Sequence, residues 1–169
     1  MNGALVTELY DCIDALPIVD VHTHVDWRAG TASNIGEILS YHYYTELANS
    51  AEYQDGGFPY QDPEALTRVI FPKLAYIRNT VQYGWLMTIS REYLGIDPWE
   101  WEPENWRDIF ERSAEVMGRA EWRDELISQA NIARVFLTNA YDEDLRGLDT
   151  SFYTPCLRCE PFILAMDRP

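Results

Sequence analysis

Residues 4–16 carry apolar side chains at helical spacing and lead through Pro17 into Ile18-Val19-Asp20, a run of the kind that forms a short buried parallel strand. Polar, glycine-containing sequence follows over 26–34. The pattern then turns helical for a long stretch. Residues 35–52 read as an aromatic-rich helix, broken at Asp55-Gly56-Gly57-Phe58-Pro59. Residues 63–94 continue with helical periodicity, interrupted near Pro72, where proline removes a backbone hydrogen bond, and stopped by Gly95. After a turn region at 97–103, Asn105 is placed to cap a helix reaching Met117-Gly118, and 121–130 reads as one more short helix. Arg134-Val135-Phe136-Leu137-Thr138-Asn139 has the character of a second buried strand. A third strand candidate lies within 154–164, weakened by Pro155 and Pro161.

Helix, strand and loop in that order suit the opening of a parallel barrel, and the stretch between the first two strands far exceeds an ordinary crossover. The expected fold class is therefore α/β: a partial (β/α)8 TIM-type barrel, its N-terminal strands followed after strand 1 by a mainly helical insertion over 35–130. Eight strands with their helices usually need about 250 residues. The 169 residues hold three strand candidates, so residues 1–169 are expected to be the N-terminal part of a larger barrel whose remaining strands are absent.

The chemistry concentrates at Val21-His22-Thr23-His24-Val25. Side chains two apart in an extended strand project from the same face, so His22 and His24 would stand side by side as two ligands of one ion. Their position at a strand's carboxyl end is where barrel enzymes place active sites. A catalytic zinc normally has three protein ligands, and the only other histidine is His42. Further ligands would come from later strands.

Charge narrows the range of partners. A formal net charge of −15, with no basic patch, opposes binding to nucleic acid or anionic membranes. No stretch is long and apolar enough to span a bilayer, and no secretory signal is visible, which makes the cytoplasm the expected compartment. Cys156-Leu157-Arg158-Cys159 can mean redox chemistry or half a zinc site. With no second pair and no helix expected directly after it, free thiols in a reducing compartment are the plain reading.

Three separated segments together resemble the uronate (glucuronate) isomerase family of the amidohydrolase superfamily. Leu16-Pro17-Ile18-Val19-Asp20-Val21-His22-Thr23-His24 is similar to the opening strand of that superfamily. His42-Tyr43, on a helix after the first loop, is similar to a His-Tyr pair of the family. Phe136-Leu137-Thr138-Asn139 with Asp142 and Asp144-Leu145 resembles its second strand and acidic turn, and Pro155-Cys156-Leu157-Arg158 its third strand. Two departures are visible. Val25-Asp26-Trp27 lacks the proline that commonly follows the His-x-His, and Asn139-Ala140-Tyr141 stands where paired Thr-Asp residues are common.

The resemblance implies interconversion of an aldose uronate (D-glucuronate) and its ketose (D-fructuronate) by proton transfer between C2 and C1. It further implies a divalent metal, zinc being the expected ion, on His22 and His24, proton transfer by Tyr43 with His42, and substrate binding by Arg158. The expected partner is a small sugar acid, and a homo-oligomer is left open. Without the resemblance, Arg158 reads as a surface ion pair, Tyr43 as an aromatic contact among Tyr41, Tyr44 and Trp85, and His42 as a helix histidine. Two competing readings are a metal-dependent hydrolase of the same superfamily, using the His-x-His to activate water, and a noncatalytic acidic helical interaction module.

Overall fold

A computed structural model describes residues 3–53 and 55–166. The chain divides into two units, one built from the segments up to Thr31 and from Arg123 onward, the other from Ala32–Trp122.

The first unit is a three-stranded parallel sheet with order β1-β2-β3, from β1 (Ile18–Asp20), β2 (Ile132–Phe136) and β3 (Tyr153–Thr154). Helix α1 (Gly3–Asp14) precedes β1, α7 (Trp122–Gln129) precedes β2 and α8 (Glu160–Met166) follows β3. At the end of α7, Asn131 takes a left-handed conformation (φ 51°), which short polar side chains tolerate. Its carbonyl accepts from Ile18 N (2.7 Å), and its Nδ2 donates to Leu16 O (3.0 Å), so one residue joins the start of β1 to the start of β2. Burial alternates beyond that point. Val135 and Leu137 pack with Tyr153 into a small core that Trp27, Ile132, Leu148 and Phe152 cover in part.

Several expectations are corrected in this unit. The opening strand is parallel but not buried: Ile18 and Val19 are 50% and 49% exposed, because β1 pairs on one side only. Helix α1 forms but buries none of its residues. The second strand begins earlier than 134 and ends at Phe136, though an isolated parallel bridge between Asn139 and Leu157 continues the pairing. The third is two residues long. From Glu160 on its expected span becomes α8, where Pro161 sits in the first turn, a position at which a missing N–H removes no helical bond. A helix therefore does follow Cys159 directly, contrary to expectation, while the cysteines are free thiols. Among the described residues three strands are present and no barrel closes.

The second unit is helical. Expected helix 35–52 is two helices, α2 (Ile35–Leu39) and α3 (His42–Ala51), separated where Tyr41 turns extended. Asn34 Oδ1 caps α2 by accepting from Glu37 N (3.0 Å). Helix α4 (Pro63–Ile70), capped by Asp62, tightens into a 3₁₀ segment, Phe71–Ile77, at Pro72. Helix α5 (Val81–Ile89) widens into one π turn, Ser90–Leu94, and stops at left-handed Gly95 (φ 65°). Asn105 does stand before α6 (Trp106–Met117) but makes no side-chain cap: its Nδ2 instead donates to Glu100 O (2.9 Å).

Ile35, Leu39, Leu66, Ile70, Leu86 and Ile109, all fully buried, form the centre of this unit. Gly36 lets α2 approach α4, since a Cβ there would lie 2.3 Å from Pro63 O. Lys73 is buried, and its Nζ donates to Glu52 O (2.7 Å) and Glu52 Oε2 (3.0 Å). The expected cost of removing that ammonium from water is thereby offset. No helix among the described residues is long and apolar enough to cross a membrane.

Candidate functional site

The backbone leaves the sheet at Asp20 through a series of short local bonds. Asp20 Oδ1 accepts from His22 N (3.1 Å), Thr23 Oγ1 from Val25 N (3.3 Å) and Asp26 Oδ1 from Arg28 N (2.9 Å). Such side-chain acceptors compete with the ladder and bend the chain. His22 and His24 thus lie beyond the strand's last paired residue rather than within it, which corrects the strand geometry expected from their spacing. They converge nevertheless. Their Nε2 atoms are 3.2 Å apart, with ring planes at 86°. Thr138 Oγ1 donates to Thr23 O (2.8 Å) and fastens the residue between them to the chain beyond β2.

This spacing fits a shared cation. Two nitrogens at about 2.0–2.1 Å from a zinc ion, at a tetrahedral angle, stand about 3.4 Å apart. His22 and His24 would supply two donors. Among the described residues no group of three His, Cys, Asp or Glu side chains is gathered for a metal.

Two cavities adjoin the pair. One, of about 600 Å³, is lined by His22, His24, Thr138, Cys156, Arg158 and Glu160, among others. The second, of about 350 Å³, shares His24, Thr138 and Arg158 with the first and extends to Trp27, Arg28, Asn139 and Glu143. Arg158 is held by its own N–H, which donates to Asn139 O (2.9 Å), the bond that extends β3 against the chain after β2. Its guanidinium is half exposed and lies 3.7 Å from Glu160 Oε2. The ion-pair reading of Arg158 is therefore met, on the wall of the same cavity as the histidines. The Glu160 carboxyl is held below its ordinary range, first by a backbone N–H and also by Arg158.

Sequence reasoning passed over Glu143 and Arg28. Arg28 follows the His-x-His by four residues, and its guanidinium stacks on Trp27 at 4.3 Å and donates to the Asp144 carbonyl. Glu143 Oε1 accepts from Trp27 Nε1 (3.3 Å). That contact spans 116 positions, so no local pattern signals it.

His42 and Tyr43 belong to the helical unit. They open α3, both exposed, with ring centroids 4.2 Å apart and Tyr41 packed beside them at 4.5 Å and 5.0 Å. Tyr44, next along, is buried. Its hydroxyl donates to Gln82 O (3.2 Å), and burial pushes its ionisation up to about 12.

No family model matches the sequence, and no curated protein sequence matches it. The fold, however, is similar to part of a longer enzyme of known structure. That enzyme is glucuronate isomerase from Caulobacter crescentus, with a TM-score of 0.71 and 20% sequence identity over 86% of this chain. The match covers 35% of the isomerase, so this chain spans about a third of that protein's length. At this identity the likeness is one of fold.

Proposed function

We propose that the chain carries the opening strands and helical insertion, residues 35–130, of a uronate isomerase that interconverts D-glucuronate and D-fructuronate. The observation that carries this reading is the convergence of the His22 and His24 Nε2 atoms at 3.2 Å, with Arg158 on the same cavity, in a fold like that of a glucuronate isomerase.

The two histidines would hold a divalent cation, zinc by expectation, together with a carboxylate from outside the chain. Such a cation supplies Lewis-acid stabilisation of the oxygen anion that develops as the C2 proton leaves. Arg158 suits the substrate carboxylate, since a planar guanidinium grips two oxygens through paired hydrogen bonds. The reaction then needs one group that takes the proton from C2 and returns it to C1, while the hydroxyl proton at O2 moves to O1. Tyr43 is the proposed proton carrier, on the strength of the sequence resemblance. An ordinary phenol ionises near about pH 10 and is a poor base at neutrality, so His42, 4.2 Å away ring to ring, is assigned to share the proton.

A hydrolase of the same superfamily would use an identical His pair on water. The two are separated by assaying, in the complete enzyme with zinc, the interconversion of D-glucuronate and D-fructuronate. Tyr43→Phe is expected to lower turnover by about 10²-fold or more with bound metal unchanged, and full activity in that variant removes Tyr43 from the mechanism. Replacing His22 and His24 together by Ala should empty the metal site by elemental analysis. Full metal stoichiometry in that double variant overturns the ligand assignment.

A further inference from the structure

The smaller cavity beside His24 holds a carboxylate with an unusual set of partners. Glu143 accepts from Trp27 Nε1 (3.3 Å) and from Ala140 N (3.4 Å). Both donors are neutral. The nearest guanidinium nitrogen, Arg28 Nη1, stands 3.9 Å off, and the other arm of Arg28 donates to the Asp144 carbonyl. The Asn139 side chain first, then the Ala140 N–H, Trp27 and the charge of Arg28, hold the Glu143 carboxyl below its ordinary range, an anion at neutral pH. A carboxylate has about four acceptor sites, and the side chain remains 28% exposed on the cavity wall. Asp26, on the same wall, is engaged by its own backbone turn instead.

Asn139 adds a second observation. It is 5% exposed and lines the same cavity. Its Oδ1 is buried with no hydrogen-bond partner. Buried polar atoms are rarely left so. Glu143 and Asn139 thus present acceptors on this cavity, which Arg158, ion-paired with Glu160 at 3.7 Å, also lines. The complementary molecule carries hydroxyl groups together with a carboxylate.

We propose that Glu143 is the specificity-determining residue of this site, accepting a hydroxyl proton of the bound sugar acid and so selecting polyhydroxylated acids over simple carboxylates. The inference rests on the uronate reading above and adds the residue that reads the hydroxyls. Arg158 supplies the attraction common to every carboxylate, and Glu143 supplies the discrimination.

The test measures, in the complete enzyme with zinc, the affinity for D-glucuronate and for propionate by titration calorimetry, in the wild type and in Glu143→Ala and Glu143→Gln. Glu143→Ala should weaken glucuronate by about tenfold or more, the loss expected for a hydrogen bond to a charged group, and leave propionate unchanged. Glu143→Gln, which keeps one acceptor oxygen and the packing, should fall between, and it carries the test if the alanine variant does not fold by circular dichroism. Unchanged glucuronate affinity in the variants overturns the inference alone. Equal losses for both acids assign Glu143 to pinning the loops together and overturn it as well. If the wild type binds neither acid, the uronate reading falls with it.

Discussion

The two units differ most in where their apolar side chains end up. The helical unit puts Ile35, Leu39, Leu66, Ile70, Leu86 and Ile109 completely out of water. The sheet unit buries Val135, Leu137 and Tyr153 and leaves much of its hydrophobic surface exposed: Leu5, Leu9 and Ile13 on one stripe of α1, Ile18 and Val19 on the open edge of β1, and Ile163 and Leu164 on α8. At about 25 cal/mol per Å² of apolar surface removed from water, the helical unit collects most of the hydrophobic stabilisation. The histidine pair and its cavities lie in the other unit. The difference teaches that the residues with the most distinctive chemistry are borne by the part with the thinner core, held instead by specific hydrogen bonds such as those of Asn131, Thr138 and Glu143.

This contrast can be broken by experiment. The largest effect on stability is expected from Leu66→Ala, which should cost about 2–5 kcal/mol in denaturant unfolding through the cavity it leaves. The matching change on the other side, Leu9→Ala in α1, should stay within about 0.5 kcal/mol. Equal losses would show that α1 is packed in solution, and the comparison would fail. Gly36→Ala should cost about 1–3 kcal/mol, because its Cβ would meet Pro63 O at 2.3 Å and force α2 from α4. An unchanged unfolding midpoint would mean that α2 and α4 can part at little cost.

A smaller effect is expected at Tyr44. Tyr44→Phe removes the hydrogen bond to Gln82 O, worth about 0.5–1.5 kcal/mol at neutral pH. The same residue sharpens the contrast at high pH. Its folded-state ionisation is raised from 10.0 to about 12 by burial, so the folded chain keeps a proton that the unfolded chain releases. The resulting stability is fully present below pH 10 and is lost as pH rises toward 12. Unfolding measured across that window should show a fall in the wild type that is reduced in Tyr44→Phe, and identical slopes would place Tyr44 at the surface.

Local signals in the sequence carried far into the fold. Gly95 stops its helix because a left-handed residue without a Cβ is needed there, and Pro72 marks the change from α to 3₁₀. The histidine pair was legible because two residues in near-extended chain stay close whatever surrounds them, although the turn at Asp20 lay outside that argument. Pro161 misled because it was weighed as a strand breaker, while a proline in a helix's first turn is equally at home. Asn105 misled for a related reason. Its position before α6 was right, and a tertiary acceptor, Glu100 O, took its amide.

The sequence by itself determined the helical stretches up to residue 130, though not their breaks, that the strands open a parallel α/β arrangement, and that two imidazoles meet at the end of the first strand. These depend on periodicity and on neighbours a few residues apart, which act before distant contacts form. Tertiary structure alone decided that β1 is an open edge and that α1 buries nothing. It also decided that Arg158 joins the histidines on one cavity and that Glu143 meets Trp27 across 116 residues. Burial and long-range hydrogen bonds depend on which surfaces the folded chain brings together, and no window along the sequence contains both partners.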